Sequence, residues 1–237
     1  PYSAGLAIFD YDNDGWEDIY FVNGSKLPGT PEEAALPINR LYRNLGDWKF
    51  EDVTSEAGVG DSGYGLGCVA GDNDNDGDLD LYVSNYGDNV FYLNNGDGTF
   101  TDATDETALS GDARFSAGVV FFDIDNDGDL DLYCGNYQVF QFDQHIEREI
   151  GGFLFHPGPA DYPPAEDQLF ENLGDGRFSD ISQASGIASQ AGTSMGAIAA
   201  DFDGDGDCDL FVGNDSQPNF YFVNDGDGQF SEDAIFS

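Results

Sequence analysis

Four nine-residue stretches repeat the pattern D-x-D-x-D-G-x-x-D: Asp10-Tyr-Asp-Asn-Asp-Gly-Trp-Glu-Asp18, Asp72 to Asp80, Asp123 to Asp131, and Asp201 to Asp209. Carboxylates at positions 1, 3 and 5 of a tight loop can point into one space, and a glycine at position 6 lets the chain reverse. That is hard-cation chemistry. Ca²⁺ takes roughly 6–8 oxygens at about 2.3–2.6 Å, which a carbonyl at position 7 and a carboxylate at position 9 would help complete. An EF-hand would need Glu at position 12, where this chain has Phe21, Val83, Cys134 and Val212. Mg²⁺ fits less well, because it demands a near-ideal octahedron and keeps its waters. Without a cation the loops would be strained, since two like charges 4 Å apart cost about 4 kcal/mol at an effective dielectric of 20.

Something must hold the four loops, and the flanking sequence repeats with them. Each loop follows a small or apolar run (SAGLAIF, GLGCVAG, SAGVVFF, SMGAIAA) and precedes an alternating run ending in Asn (IYFVN, LYVSN, LYCGN, LFVGN). A second block recurs further on: LYRNLGDWKFEDVT, FYLNNGDGTFTDAT, LFENLGDGRFSDIS and FYFVNDGDGQFSED. Each unit therefore predicts four short strands. A and B flank the Asp loop, and C and D flank an N-x-G-D-G hairpin whose Asn, Asp and Gly tolerate positive φ. In the first unit that turn is Asn44-Leu-Gly-Asp-Trp48, with Trp in place of the last Gly. Four-stranded units rich in Gly and aromatics predict an all-β propeller of antiparallel blades, near 1–56, 57–106, 107–182 and 183–237. A sandwich would not require the same loop four times. Strand A is expected nearest the axis, and the Phe- and Tyr-rich strands B and C should fill the space between blades. Each buried aromatic there contributes roughly 1.5–3 kcal/mol.

The composition narrows the function. Of 237 residues, 47 are acidic and 7 basic, a net charge of −40 that repels phosphate backbones and anionic lipid. Nucleic-acid binding is excluded on that ground. No apolar run reaches the roughly 18 residues of a membrane helix. Four Ca²⁺ would leave about −32, so the field stays negative. Cys68, Cys134 and Cys208 form no C-x-x-C pair and are expected as small buried residues.

These repeats resemble the FG-GAP/VCBS family, whose best-known members are the calcium-binding propellers of integrin α subunits. The wording of the repeats is closest to secreted proteins that carry an ASPIC/UnbV domain. The resemblance covers nearly the whole chain. It implies an extracellular, cell-surface or periplasmic scaffold without catalytic residues, and about four Ca²⁺, one per blade loop. Carried over position by position, the implied ligands are Asp10, Asp12, Asp14, Trp16 and Asp18; Asp72, Asp74, Asp76, Asp78 and Asp80; Asp123, Asp125, Asp127, Asp129 and Asp131; and Asp201, Asp203, Asp205, Asp207 and Asp209. Position 7 acts through its carbonyl. Propellers of this family commonly have about seven blades. The four blades here are therefore expected to be a segment of a larger ring, completed by further blades or another chain.

Turns alternate between the two ends of a blade, so the B–C connections lie opposite the Asp loops. Two are short, Tyr86–Asn89 and Asp215–Pro218, and two are expanded, Gly24–Asn39 and Gln138–Asp167. Long insertions on a rigid scaffold are where binding concentrates. The 138–167 segment carries Phe140, Phe142, His145, Phe153, Phe155, His156 and Tyr162, the expected contacts for a protein or glycan partner. An enzymatic reading, such as a polysaccharide lyase, would have to draw on His145, Glu147, Glu149, His156 and Asp161, which match no catalytic spacing. Two N-x-S sequons, at Asn23 and Asn214, follow strand B, as Asn also does in the other units, and so are expected to be structural turns.

Overall fold

The computed structural model describes residues 5–26, 37–110, 114–155 and 157–233. Its regular secondary structure is almost entirely β, chiefly in four antiparallel four-stranded sheets. The first contains β1 (Leu6–Phe9), β2 (Asp18–Phe21), β3 (Arg40–Asn44) and β4 (Phe50–Asp52). The second contains β5 (Tyr64–Gly71), β6 (Asp80–Tyr86), β7 (Val90–Asn94) and β8 (Phe100–Asp102). The third starts with β9 (Ser116–Phe122) and β10 (Asp131–Asn136). An inserted hairpin, β11 (Arg148–Ile150) and β12 (Phe153–Phe155), and a short strand β13 (Ala165–Glu166) come before β14 (Gln168–Asn172) and β15 (Phe178–Asp180) complete it. After β16 (Ala191–Gly192), which pairs with β13, the fourth sheet runs through β17 (Ser194–Ala200), β18 (Asp209–Asn214), β19 (Phe220–Asn224) and β20 (Phe230–Glu232). The order within every sheet is A-B-C-D, as the repeat predicts.

The A strands pack on one another in succession, β1 on β5, β5 on β9 and β9 on β17. Their small residues have a steric reason. A Cβ on Gly118 would meet the Gly196 Cα of the next blade at 2.6 Å, and one on Gly67 would meet the Ala117 carbonyl oxygen at 2.2 Å. Backbone touches backbone there, so only glycine fits. Gly118→Ala is expected to destabilise by about 1–3 kcal/mol, the usual cost of overpacking. Gly196→Ala, whose Cβ would meet nothing within 4 Å, should be nearly silent. Equal melting temperatures for the two variants would contradict this packing.

The core lies between blades. One cluster joins Phe9, Tyr20 and Leu41 of the first blade to Leu81, Val83 and Tyr92 of the second. Another joins Tyr82 and Phe91 to Leu132, Cys134 and Phe170, and a third joins Phe122, Tyr133 and Leu169 to Leu210, Phe220 and Phe222. All three cysteines are free thiols; Cys134 is buried, Cys68 and Cys208 only partly. The run of blades does not close. Among the described residues β17 makes no such packing with β1, and the apolar side chains of the two end blades face outward: Leu6 is 51 % and Ile8 60 % exposed, Met195 57 % and Ile198 58 %.

Two features were not expected from the sequence. A single helical turn follows strand D in the first two blades, α1 (Thr54–Ala57) and α2 (Thr104–Thr107). A hydroxyl there latches the blade: Thr54, Thr104 and, in the third blade, Ser182 each donate to the Asp two residues earlier and accept from the backbone N–H of Leu41, Phe91 or Leu169.

Candidate metal centres

Each Asp loop joins strand A to strand B and follows one plan. Position 6, at Gly15, Gly77, Gly128 and Gly206, has φ between 89° and 105°. Position 4 is also left-handed, occupied by Asn13, Asn75, Asn126 or Gly204. The position 1 carboxylate accepts the backbone N–H of the glycine at position 6 in every loop, at 2.8–3.2 Å. The position 5 carboxylate accepts the N–H of position 7 at 2.9–3.0 Å.

These turns gather carboxylate oxygens. Asp10, Asp12 and Asp18; Asp72, Asp74 and Asp76; Asp123, Asp125 and Asp127; and Asp201, Asp203 and Asp209 each bring three within 4.8 Å of one another. Positions 1 and 3 take part in all four, with position 5 or position 9 as the third. The Asp12 and Asp123 Oδ1 atoms are buried without a hydrogen-bond partner, a costly state for a carboxylate that a bound cation would relieve. The residues therefore fit a hard divalent ion. Such an ion would be held by positions 1, 3, 5 and 9 with the position 7 carbonyl, and would neutralise the loop charge. Among the described residues no other cluster of His, Cys, Asp and Glu converges in this way.

The side chains at position 7 turn elsewhere. Asp78, Asp129 and Asp207 accept from Asn13, Asn75 and Asn126, the position 4 residues of the preceding blades, at 2.6–2.8 Å. This leaves their carbonyls for the loop. The clip is missing at both ends of the run, where position 7 is Trp16 and position 4 is Gly204.

Position 9 does two jobs. Asp18, Asp80, Asp131 and Asp209 accept from the loop backbone at position 2 and from the N–H of Asn44, Asn94, Asn172 and Asn224 at the end of strand C. Three of those asparagines reach on into the neighbouring blade. Asn94, Asn172 and Asn224 donate through Nδ2 to the carbonyls of Tyr11, Asn73 and Ile124 at 2.8–2.9 Å.

Burial pushes the Asp18 carboxyl up to about 6 and those of Asp80 and Asp131 up to about 7, against the backbone donors that hold them down. Asp12, Asp74 and Asp125 are raised by burial and then by the position 5 carboxylate beside each. An acid raised in the fold stabilises fully below its unfolded value and loses that contribution as pH rises through its folded value. Metal-stripped protein is thus expected to lose stability from about pH 4 to about pH 7, as the cages ionise. Calcium-loaded protein should gain over the same window, because only the ionised cage binds. Melting curves across that range, with and without calcium, check the divergence; parallel trends would contradict it.

The insertion leaves from the opposite end of strand B and brings part of the expected contact set together. Phe140 meets Phe142, Tyr162 and His145 edge-on, and Tyr86 of the second blade at 5.8 Å. His145 Nδ1 lies 3.1 Å from the Tyr162 hydroxyl. Phe153 and Phe155 do not join this cluster. They sit on the exposed β11–β12 hairpin, 72 % and 50 % exposed. His156 lies outside the described residues, as does the 27–36 part of the first expanded connection. Asp161, a candidate acid–base group, is engaged by Arg148 and the Gly158 N–H. The strand B asparagines are turn residues, as expected: the amides of Asn23, Asn85, Asn136 and Asn214 donate to the carbonyls of Ile38, Asp88, Glu166 and Pro218.

Sequence reasoning missed Asp167. It stands where the other blades have Asn39, Asn89 and Asn219, accepting the N–H of Asn136 as they accept those of Asn23, Asn85 and Asn214. It also accepts the hydroxyls of Tyr133 at 2.6 Å and Ser194 at 2.8 Å, joining the third and fourth blades. The signal was one Asp in an otherwise constant Asn position.

Repeated four-stranded blades with an acidic cage between the first two strands define a class of blade protein. The FG-GAP-like repeat matches residues 10–83, 72–134, 160–212 and 201–237, and the chain belongs to that family. It is 28 % identical over 230 residues to cartilage acidic protein 1 of Xenopus tropicalis, and 26 % identical over 233 residues to that of Homo sapiens. Each match covers 93 % of this chain and 32 % of the relative, so the chain spans about a third of their length. Among solved structures it is similar to an Agrocybe aegerita lectin that recognises non-reducing terminal N-acetylglucosamine, at 18 % identity and a TM-score of 0.49 over 94 % of this chain and 49 % of that one. It is also similar to the V. cholerae biofilm matrix protein Bap1, at 18 % identity and a TM-score of 0.41 over 96 % and 38 % of the two chains.

Proposed function

We propose that this chain is a calcium-holding blade module of an extracytoplasmic, non-catalytic protein, which binds a protein or glycan on the face opposite its Asp loops. The observation that carries the reading is the fourfold gathering of carboxylate oxygens within 4.8 Å, two of the cages retaining a buried oxygen without a partner. Calcium is favoured over magnesium because the donors are clustered carboxylate oxygens on irregular turns, whereas Mg²⁺ demands a near-ideal octahedron and keeps its waters. Sites of this kind fill where free calcium is about millimolar, which suits an extracellular or periplasmic setting. The name of the cartilage acidic relatives agrees.

Titration calorimetry on metal-stripped protein tests the reading. About four equivalents of calcium should bind, and Asp72→Asn with Asp74→Asn should remove one of them. A flat isotherm would sink the reading. Partner binding by the insertion face is supported by its exposed aromatic hairpin and by the clustering of Phe140, Phe142, His145 and Tyr162.

A second reading, a structural segment whose edges complete a larger ring, is favoured by the outward apolar side chains Leu6, Ile8, Met195 and Ile198. Trp16 and Gly204 would give any completing blade a junction unlike the three internal ones. A monodisperse monomer that stays soluble and folded would count against it.

A further inference from the structure

A cavity of about 420 Å³ opens where the insertion of the third blade meets the second blade, lined by Tyr86, Arg114, Phe115, Gln138, Phe140 and Glu166 among others. Small-molecule sites run roughly 300–1,000 Å³. Its walls are tied together. Tyr86 bridges to Phe115 backbone to backbone, packs on it at 5.4 Å and donates its hydroxyl to the Phe140 carbonyl. Gln138 is bridged in the same way to Pro164.

Two polar groups in this wall have work left to do. Gln138 is 8 % exposed, and no hydrogen bond among the described residues reaches its side-chain amide, whose Oε1 is shielded from solvent. Burying an amide in that state costs about 1–3 kcal/mol. Arg114 donates through Nη1 to the Glu166 carbonyl at 3.1 Å; its charge holds down the Asp167 carboxyl, but among the described residues no carboxylate is in ion-pair contact with it. That is unusual in a chain with 47 acids and 7 bases. Arg114 is one of the residues that line the cavity.

We infer that this cavity is a carbohydrate site that takes one neutral pyranose ring, a reading that rests on the proposed partner-binding role of this face. A sugar presents an apolar C–H face to Tyr86, Phe115 and Phe140. Its hydroxyls both donate and accept, which matches a Gln138 Oε1 that lacks a donor, once that side chain turns to the cavity, and a guanidinium that only donates. An apolar ligand would leave Gln138 and Arg114 unmet. A strongly anionic ligand would face Glu166 and the negative field of the whole chain, with one arginine to offset them.

Saturation-transfer NMR on calcium-loaded protein, with glucose, galactose, N-acetylglucosamine and glucuronate as probes, tests the site. At least one neutral sugar should receive transfer, and glucuronate less. Gln138→Leu, which removes the amide at nearly constant volume, should weaken binding about tenfold or more while the melting temperature holds or rises. Phe140→Ala should also weaken it. No transfer to any neutral sugar, or transfer unchanged in Gln138→Leu, would overturn the site. So would loss of transfer only when Phe153 and Phe155 are both changed to Ser, which would move binding to the hairpin. Calcium counted on the same sample separates the failures: four ions without sugar binding removes this site alone, whereas missing calcium removes the module reading beneath it.

Discussion

Withdrawing calcium is expected to lower the melting temperature of this chain by about 15–40 °C. A ligand that binds only the folded state stabilises by RT ln(1 + [L]/Kd), about 1.4–2.7 kcal/mol per site when calcium is 10 to 100 times its Kd. Four sites together contribute about 6–11 kcal/mol, and each kcal/mol moves the melting point of a domain this size by about 2–4 °C. The effect should be large because each cage is wired into the sheet. Asp18, Asp80, Asp131 and Asp209 belong to the cage loops and also hold the end of strand C through a backbone N–H. Repulsion in an empty cage therefore reaches strand C. Circular dichroism melts with excess calcium and with excess chelator read it directly; a difference under a few degrees would mean that the cages contribute little to folding.

The second large effect concerns the junctions between blades. Asn172 donates to the carbonyls of Asn73 and Leu130 and accepts from the Gly174 N–H. Asn172→Ala leaves three backbone groups without partners in a buried seam, at a cost of about 3–5 kcal/mol, or roughly 10 °C or more in melting temperature. Asn44 occupies the same place in the first blade, but among the described residues its side chain bonds only within that blade, to the Glu17 carbonyl and the Gly46 N–H. Asn44→Ala should cost only about 1 kcal/mol. The hairpin role is common to both, so the excess loss at Asn172 reports the inter-blade bond together with the deeper burial of its seam. Equal losses would show that the asparagine acts only within its own blade.

That asparagine also marks how far the sequence could be read. The Asp loop, the four strands and the apolar strand A were legible because each lies within one repeat, where spacing and alternation follow from local geometry. The Asn of N-x-G-D-G was legible as a hairpin residue in the same way. Its second bond, from Asn172 to Asn73 across 99 positions, exists only once blades stack, and no local pattern announces it. The same holds for the clip from position 4 to position 7, although the change to Trp16 and Gly204 at the two ends was visible in the repeats. Of the insertion, aromatic content pointed to a cluster, and Phe140, Phe142, His145 and Tyr162 form one. Phe153 and Phe155 went to a separate hairpin because their Gly151-Gly152 turn, both residues at positive φ, closes β11 on β12 instead. The cavity beside Gln138 could not be foreseen, because Tyr86, Arg114 and Phe115 reach it from outside the insertion.

The most direct test is an anomalous difference map from crystals grown in calcium. Four peaks are expected, one in each Asp loop, among the carboxylates of positions 1, 3, 5 and 9 and beside the carbonyl of position 7. Loops that keep their shape with no peak between those carboxylates would contradict the central claim that they are calcium cages.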